Sequence, residues 1–173
     1  MIRRLIFAAL LPLLAVGGCA GSGTGETTAT VPANDSQFVQ TAGQDNLAEE
    51  LAASYASTGA RSLAVKTFAF RMMADHANMA IGMRQVATAQ GMTVPTSPSD
   101  TQIAEITAMS ASHGGAFDKA YVAQEITRHK AMLQAYQGEV ASGTDPAIKK
   151  YASDRLPVVQ YNLKAAEALL SQS

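Results

Sequence analysis

A single cysteine, no tryptophan and few charges set the first limits on this 173-residue chain. One thiol cannot close a disulfide within the chain, so stability has to come from a packed core. Charged residues make up 16%, against roughly 25% in an ordinary soluble domain. Thirteen basic residues are offset by fourteen acidic ones, so a basic patch for nucleic acid is not indicated. Long apolar runs are missing too. The longest, Leu5 to Val16, is interrupted by Pro12 and falls well short of the roughly 20 residues that span a bilayer. No Ser-His-Asp order, phosphate-cradling glycine loop or cysteine-based zinc pattern is present. What the chain has instead is alanine: thirty-three of them lift the apolar fraction to 47%, a composition suited to closely packed helices.

The N-terminus reads as an address. Arg3 and Arg4 form a positive segment, Leu5 to Val16 an apolar one, and Val16-Gly17-Gly18-Cys19 resembles a lipobox cut just before the cysteine. Residues 1–18 are then a lipoprotein signal peptide and Cys19 the lipid-modified first residue of the mature chain. A plain secretory signal is the alternative; twin-arginine export is poorly supported by Ile2 and Leu5. Ala20, rather than aspartate, after the cysteine points by resemblance to lipoprotein sorting towards the outer membrane, facing the periplasm. Removing two arginines and no acids leaves 11 basic and 14 acidic residues, a formal net charge of −3. Residues 19–34 include Gly21, Ser22, Gly23 and Gly25 and little to bury, so they read as a flexible tether. Its reach is about 20 Å.

Residues 35–173 form one domain, cut into helices by sparse breakers. Asn34, Asp35 or Ser36 can cap a first helix running to about Ser57; a second runs from about Ser62 to Gln90, where Gly91 supplies a left-handed stop. Ser99-Asp100-Thr101-Gln102 is a capping-box pattern for a short helix. A third long helix covers Ala116 to Ser142. Asp145 and Pro146 open the last, which runs to about Leu170 and should kink at Pro157. Apolar residues recur at helical spacing in the last two, through Val122, Ile126, His129, Leu133, Tyr136 and Val140, and through Ile148, Ala152, Leu156, Val159, Leu163, Ala166 and Leu170. These patterns predict an all-α fold: an antiparallel four-helix bundle whose second connection carries the extra helix over one end.

Two histidines sit on such stripes. His76 shares a face with Val65, Phe68, Met72, Met79, Met83 and Val86, and His129 holds the same kind of position in the next long helix. Burying an imidazole costs free energy unless a polar partner or a metal satisfies it. Asp75 adjoins His76 and Glu125 lies one turn before His129, each placed to orient a ring. A bland alternative is that the histidines only knit the core, with Glu125 pairing Arg128 or His129 near the surface. Met72, Met79, Met83 and Met132 add thioethers that would suit copper, although methionine is also the usual filler of helical cores. His113, beside two glycines, reads as a loop residue, and the five tyrosines as the rim of a core.

The segments VKTFAFRMMADHANM (65–79), GGAFDKAYVAQEITRHKAML (114–133) and IKKYASDRLPVVQYNL (148–163) resemble a bacterial envelope family known as domain of unknown function 4142. The most specific matches are Asp75-His76, Phe117-Asp118 with Tyr121, His129, and Leu156-Pro157. The resemblance implies a ferritin-like four-helix bundle, exported and often lipid-anchored, without an established activity. Carried over residue by residue, it adds Glu49 and Asp118 to His76, His129 and Asp75 as candidate metal donors. The family often has histidine six residues after the leucine of the Leu-Pro pair; this chain has Asn162. A ferritin-type di-iron oxidase needs a Glu-x-x-His pair on each of two helices, and neither is present. The sequence therefore predicts a lipid-anchored, non-enzymatic module holding a transition metal, copper or iron, or a small ligand, through His76 and His129. The alternatives are a structural or stress-related envelope protein without ligand and a metal-dependent oxidoreductase.

Overall fold

The computed structural model describes residues 33–171, and all regular structure among them is helical. In chain order the helices are α1 (Ala33–Gly59), α2 (Leu63–Ala89), α3 (Asp100–Ser110), α4 (Gly114–Ser142) and α5 (Pro146–Leu170). The export run, Cys19 and the tether as far as residue 32 lie outside the described residues; Ala33 and Asn34, expected in the tether, are helical. None of the described helices is long and apolar enough to cross a membrane.

Local chemistry sets the ends of these helices. The Ser99 hydroxyl accepts from the Gln102 backbone N–H while the Gln102 side chain accepts from Ser99 N–H, the reciprocal capping box. The Asp145 carboxylate accepts from the N–H groups of Ala147 and Ile148, with Pro146 at the first position where no donor is needed. Gly91 takes φ +71°, so that its N–H reaches the Thr88 carbonyl and the Met92 N–H reaches Ala87, the paired bonds of a Schellman stop. α5 continues through Pro157 as a single helix.

α1 packs on α2 and α4, and α5 on the same two helices. Alanine decides how α1 is turned. Ala42, Ala48, Ala52, Ala53 and Ala56 are fully buried, while Leu47 and Leu51 are only partly covered and Tyr55 is 46% exposed. Small side chains let α1 approach its neighbours closely, and the larger residues flank the contact.

The core is divided. One apolar cluster joins Ala48 to Ala60, Val65 to Met72, Ile106, Met109, Phe117 to Val122 and Ala166. The other joins Phe38 to Ala42, Met79 to Met92, Met132, Tyr136 and Ile148 to Val159. On every long helix one or two buried polar residues fall between the two: Asn46 and Glu49 on α1, apart from Ala48, then His76 on α2, Glu125 and His129 on α4, and Asn162 on α5; buried Asp35, Asp118 and Glu139 lie nearer the helix ends. The second connection does not lie over one end as the sequence suggested. It runs along α1, with Pro95 against Gly43, Gln102 bonded to Asp45, and Ile106 and Met109 in the first cluster. An added Cβ at Gly43 would lie 2.8 Å from Pro95 Cδ, so this approach requires glycine.

Candidate metal centre

The polar layer is built around two imidazoles. His76 Nε2 and His129 Nε2 lie 3.3 Å apart, with the rings at 76° to one another. Their other nitrogens are already committed. His76 Nδ1 lies 3.0 Å from the Asn46 amide oxygen, and His129 Nδ1 lies 3.0 Å from the Glu125 backbone carbonyl. Both partners are acceptors, so both Nδ1 atoms carry hydrogen and donate. In two neutral rings the Nε2 lone pairs must then face each other. That arrangement is repulsive unless something positive lies between them. An ion about 2.05 Å from each nitrogen at a tetrahedral angle would set them roughly 3.3 Å apart.

Two carboxyl groups lie beside His129, with Glu125 Oε2 3.6 Å from its Nδ1, while His76 stands outside their group. Glu49, Glu125 and His129 each bring one donor atom to within 4.8 Å of the others, and all three are fully buried. As a pair of carboxylates Glu49 and Glu125 would have no donor between them, and with both ionised none of the four oxygens finds a hydrogen-bond partner among the described residues. One proton resolves this. Burial, the Glu49 charge and the bond to Glu49 push Glu125 well above the ordinary carboxyl range. Burial also pushes Glu49 up, but the positive charge His129 and His76 carry when protonated, the bond from Glu125 and Arg128 outweigh it and hold Glu49 below its ordinary value. Glu125 is thus the acid and Glu49 the carboxylate. Arg128, whose guanidinium lies 3.8 Å from Glu49, balances the charge. Tyr121 stands beside Glu125 with its hydroxyl buried.

Not every residue expected at the site is in it. Asp118 accepts from the backbone N–H groups of Arg61 and Ser62 at 2.8 Å each, so both oxygens are spent on the turn into α2. Asp75 accepts from Asn162 Nδ2 at 3.2 Å. The methionine faces are packing: Met72 belongs to one apolar cluster and Met79, Met83 and Met132 to the other. Glu125 is fully buried rather than near the surface. Nothing in the sequence marks Asn46; it offers Arg128 only as a surface partner of Glu125, Tyr121 only as a core-rim tyrosine and family match, and Glu125 in an orienting or pairing part. The pattern that reveals Tyr121 and Glu125 is a second stripe on α4, Asp118, Tyr121, Glu125, His129, Met132, Tyr136 and Glu139, all buried. It repeats at helical spacing as well as the apolar stripe does, but weighting by hydrophobicity favours Val122, Ile126, Leu133 and Val140, which include partly buried flanks.

This arrangement sits in a known type of chain. Domain of unknown function DUF4142 matches residues 20–169. The chain belongs to that family. No curated protein matches this DUF4142 chain. Among solved structures it is similar to a crystallised DUF305 fragment from Deinococcus radiodurans, at 13% identity and TM-score 0.73, over 83% of this chain and 99% of the fragment. At that identity the likeness concerns the fold.

Acid should expose the cost of the buried imidazoles. Burial and the neighbouring His129, opposed by Glu49, lower His76 from 6.5 to about 4. The unfolded chain therefore takes up a proton near pH 6.5 that folded His76 refuses until about pH 4. Stability is level above that window and falls as pH drops through it, by about 3 kcal/mol from this group. Urea unfolding of the wild type and of His76→Phe at both ends of the window measures the difference. Parallel losses in the two proteins would remove His76 as the cause.

Proposed function

We propose that this DUF4142 protein is a metal-holding module of the bacterial cell envelope, anchored through a lipid on Cys19 to the outer membrane and facing the periplasm. The metal is a divalent transition ion, iron or copper, held by Glu49, His76, Glu125 and His129. One observation carries the reading: two imidazole nitrogens with their hydrogens committed elsewhere converge at 3.3 Å. Imidazole and carboxylate donors suit such an ion, and the absence of a thioether from the set argues against Cu(I). Donors that are fully buried favour holding an ion over turning over a substrate.

The architecture we infer is an antiparallel four-helix bundle of the ferritin-like kind, with α3 in its one long connection. Three-residue links join α1 to α2 and α4 to α5, and the order in which each helix visits the two apolar clusters reverses across those links. A structural role without ligand draws on a different observation, that Arg128 and the Glu125 proton already balance Glu49.

Elemental analysis of the purified mature protein after exposure to Fe(II), Cu(II) or Zn(II) separates the two. About one bound ion, lost in His76→Ala/His129→Ala, is expected. Equal and negligible metal in both proteins leaves the structural role. The anchor has its own test. Radiolabelled palmitate should be incorporated by the wild type in cells and not by Cys19→Ala, with the variant released into the soluble periplasmic fraction. Labelling that persists in the variant refutes attachment at Cys19.

A further inference from the structure

Arg128 is an unusual neighbour for a cation site. Its side chain is only 10% exposed, yet Nε, Nη1 and Nη2 all lack a hydrogen-bond partner among the described residues. An arginine beside carboxylates ordinarily claims one with two short parallel bonds. Here it is stretched between two, with Nη1 3.8 Å from buried Glu49 and Nη2 3.8 Å from Glu105 on α3, whose side chain is 52% exposed. Asp45, one turn before Glu49 on α1, accepts from Gln102, one turn before Glu105 on α3. Carboxylates therefore descend from solvent to the buried donors through the seam where α1, α3 and α4 meet, and the guanidinium lies across them.

We propose that Arg128 is the removable counter-ion of the metal centre and that this seam is the ion's entrance. The inference rests on the metal reading above. With Arg128 beside it, Glu49 is neutralised and a dication is repelled at short range in a poorly screened interior. Loading requires that positive charge to leave. The long side chain reaches Glu105 by rotating about its own bonds, without movement of the backbone, and gives up Glu49 to the arriving ion. Asp45 and Glu105 supply successive oxygen contacts for an ion shedding its water. Arg128 so determines how fast, and how tightly, the site fills.

Co(II), followed by its d–d absorption in stopped flow, is the probe for the mature protein. Arg128→Met keeps the apolar stem and removes the charge, so it should load faster and bind about tenfold or more tightly. Glu105→Gln should load about threefold more slowly and bind more weakly, and should lose its effect on affinity in the Arg128→Met background, where nothing needs to be received. Glu167→Gln, which removes an exposed acid paired with Lys130, should change neither. A folded Arg128→Met that loads and binds like wild type overturns the counter-ion, while leaving the metal reading intact. If Arg128→Met does not fold, Glu105→Gln decides: wild-type loading in that surface variant overturns the entrance. A wild type that takes up no Co(II) removes both readings.

Discussion

Saturating the mature protein with its ion should raise its melting temperature by about 8 °C, because an ion at 100 times its Kd stabilises a folded state by about 2.7 kcal/mol. The His76→Ala/His129→Ala variant should show no shift. The pH dependence is the sharper part of this expectation. Glu125 is pushed well above its ordinary range by burial and by Glu49, so it keeps its proton to higher pH than an exposed glutamate does. A carboxyl group must lose its proton to ligate. Binding therefore expels one proton from this group, and the apparent affinity should rise about tenfold for each pH unit below the folded pKa of Glu125, flattening above it. Titration calorimetry in two buffers of different ionisation enthalpy counts the protons directly. Affinity independent of pH would mean that Glu125 does not coordinate.

The two glutamates of the layer should respond in opposite ways to the same small change. Glu49→Gln removes the carboxylate that faces Arg128 at 3.8 Å and leaves a guanidinium that is 10% exposed with the more distant Asp45 and the outer Glu105. Breaking a buried pair from one side costs about 3 kcal/mol, which in a domain of this size is a loss of about 10 °C. Glu125→Gln replaces a neutral acid with a neutral amide whose N–H can donate to Glu49 as the acid does. Its cost in the metal-free protein should stay within about 1 kcal/mol, while ion-induced stabilisation falls away with the lost ligand. Denaturant midpoints with and without ion give all four values. Equal destabilisation by the two substitutions would contradict the assignment of the proton to Glu125 and the charge to Glu49.

Much of the fold was legible because its determinants are short-range. Ser99 with Gln102, Asp145 with Pro146, and Gly91 each act within one helical turn, and each does in the structure what its residue type predicts. The imidazoles were legible for a similar reason, since a polar ring on an apolar stripe is visible in the spacing alone. The face of α1 was not. An alanine-rich stripe carries little hydrophobic signal against Leu47, Leu51 and Tyr55, yet close packing rewards the smaller side chains. The inner face of α4 was half legible: Val122, His129 and Tyr136 are buried as their spacing predicts, but the face also contains Asp118, Glu125 and Glu139, which count against burial until their partners are known.

By itself, then, the sequence determined where the helices begin and stop and that His76 and His129 would be enclosed. Tertiary structure alone decided their company. Residues 46, 76, 125 and 129 converge because helix packing fixes the rotation of α1, α2 and α4 about their own axes, and each residue along a helix turns the side-chain direction by about 100°. Only that rotation spends Asp118 on a turn, brings Glu125 beside Glu49, and leaves one proton and one guanidinium to settle the charge.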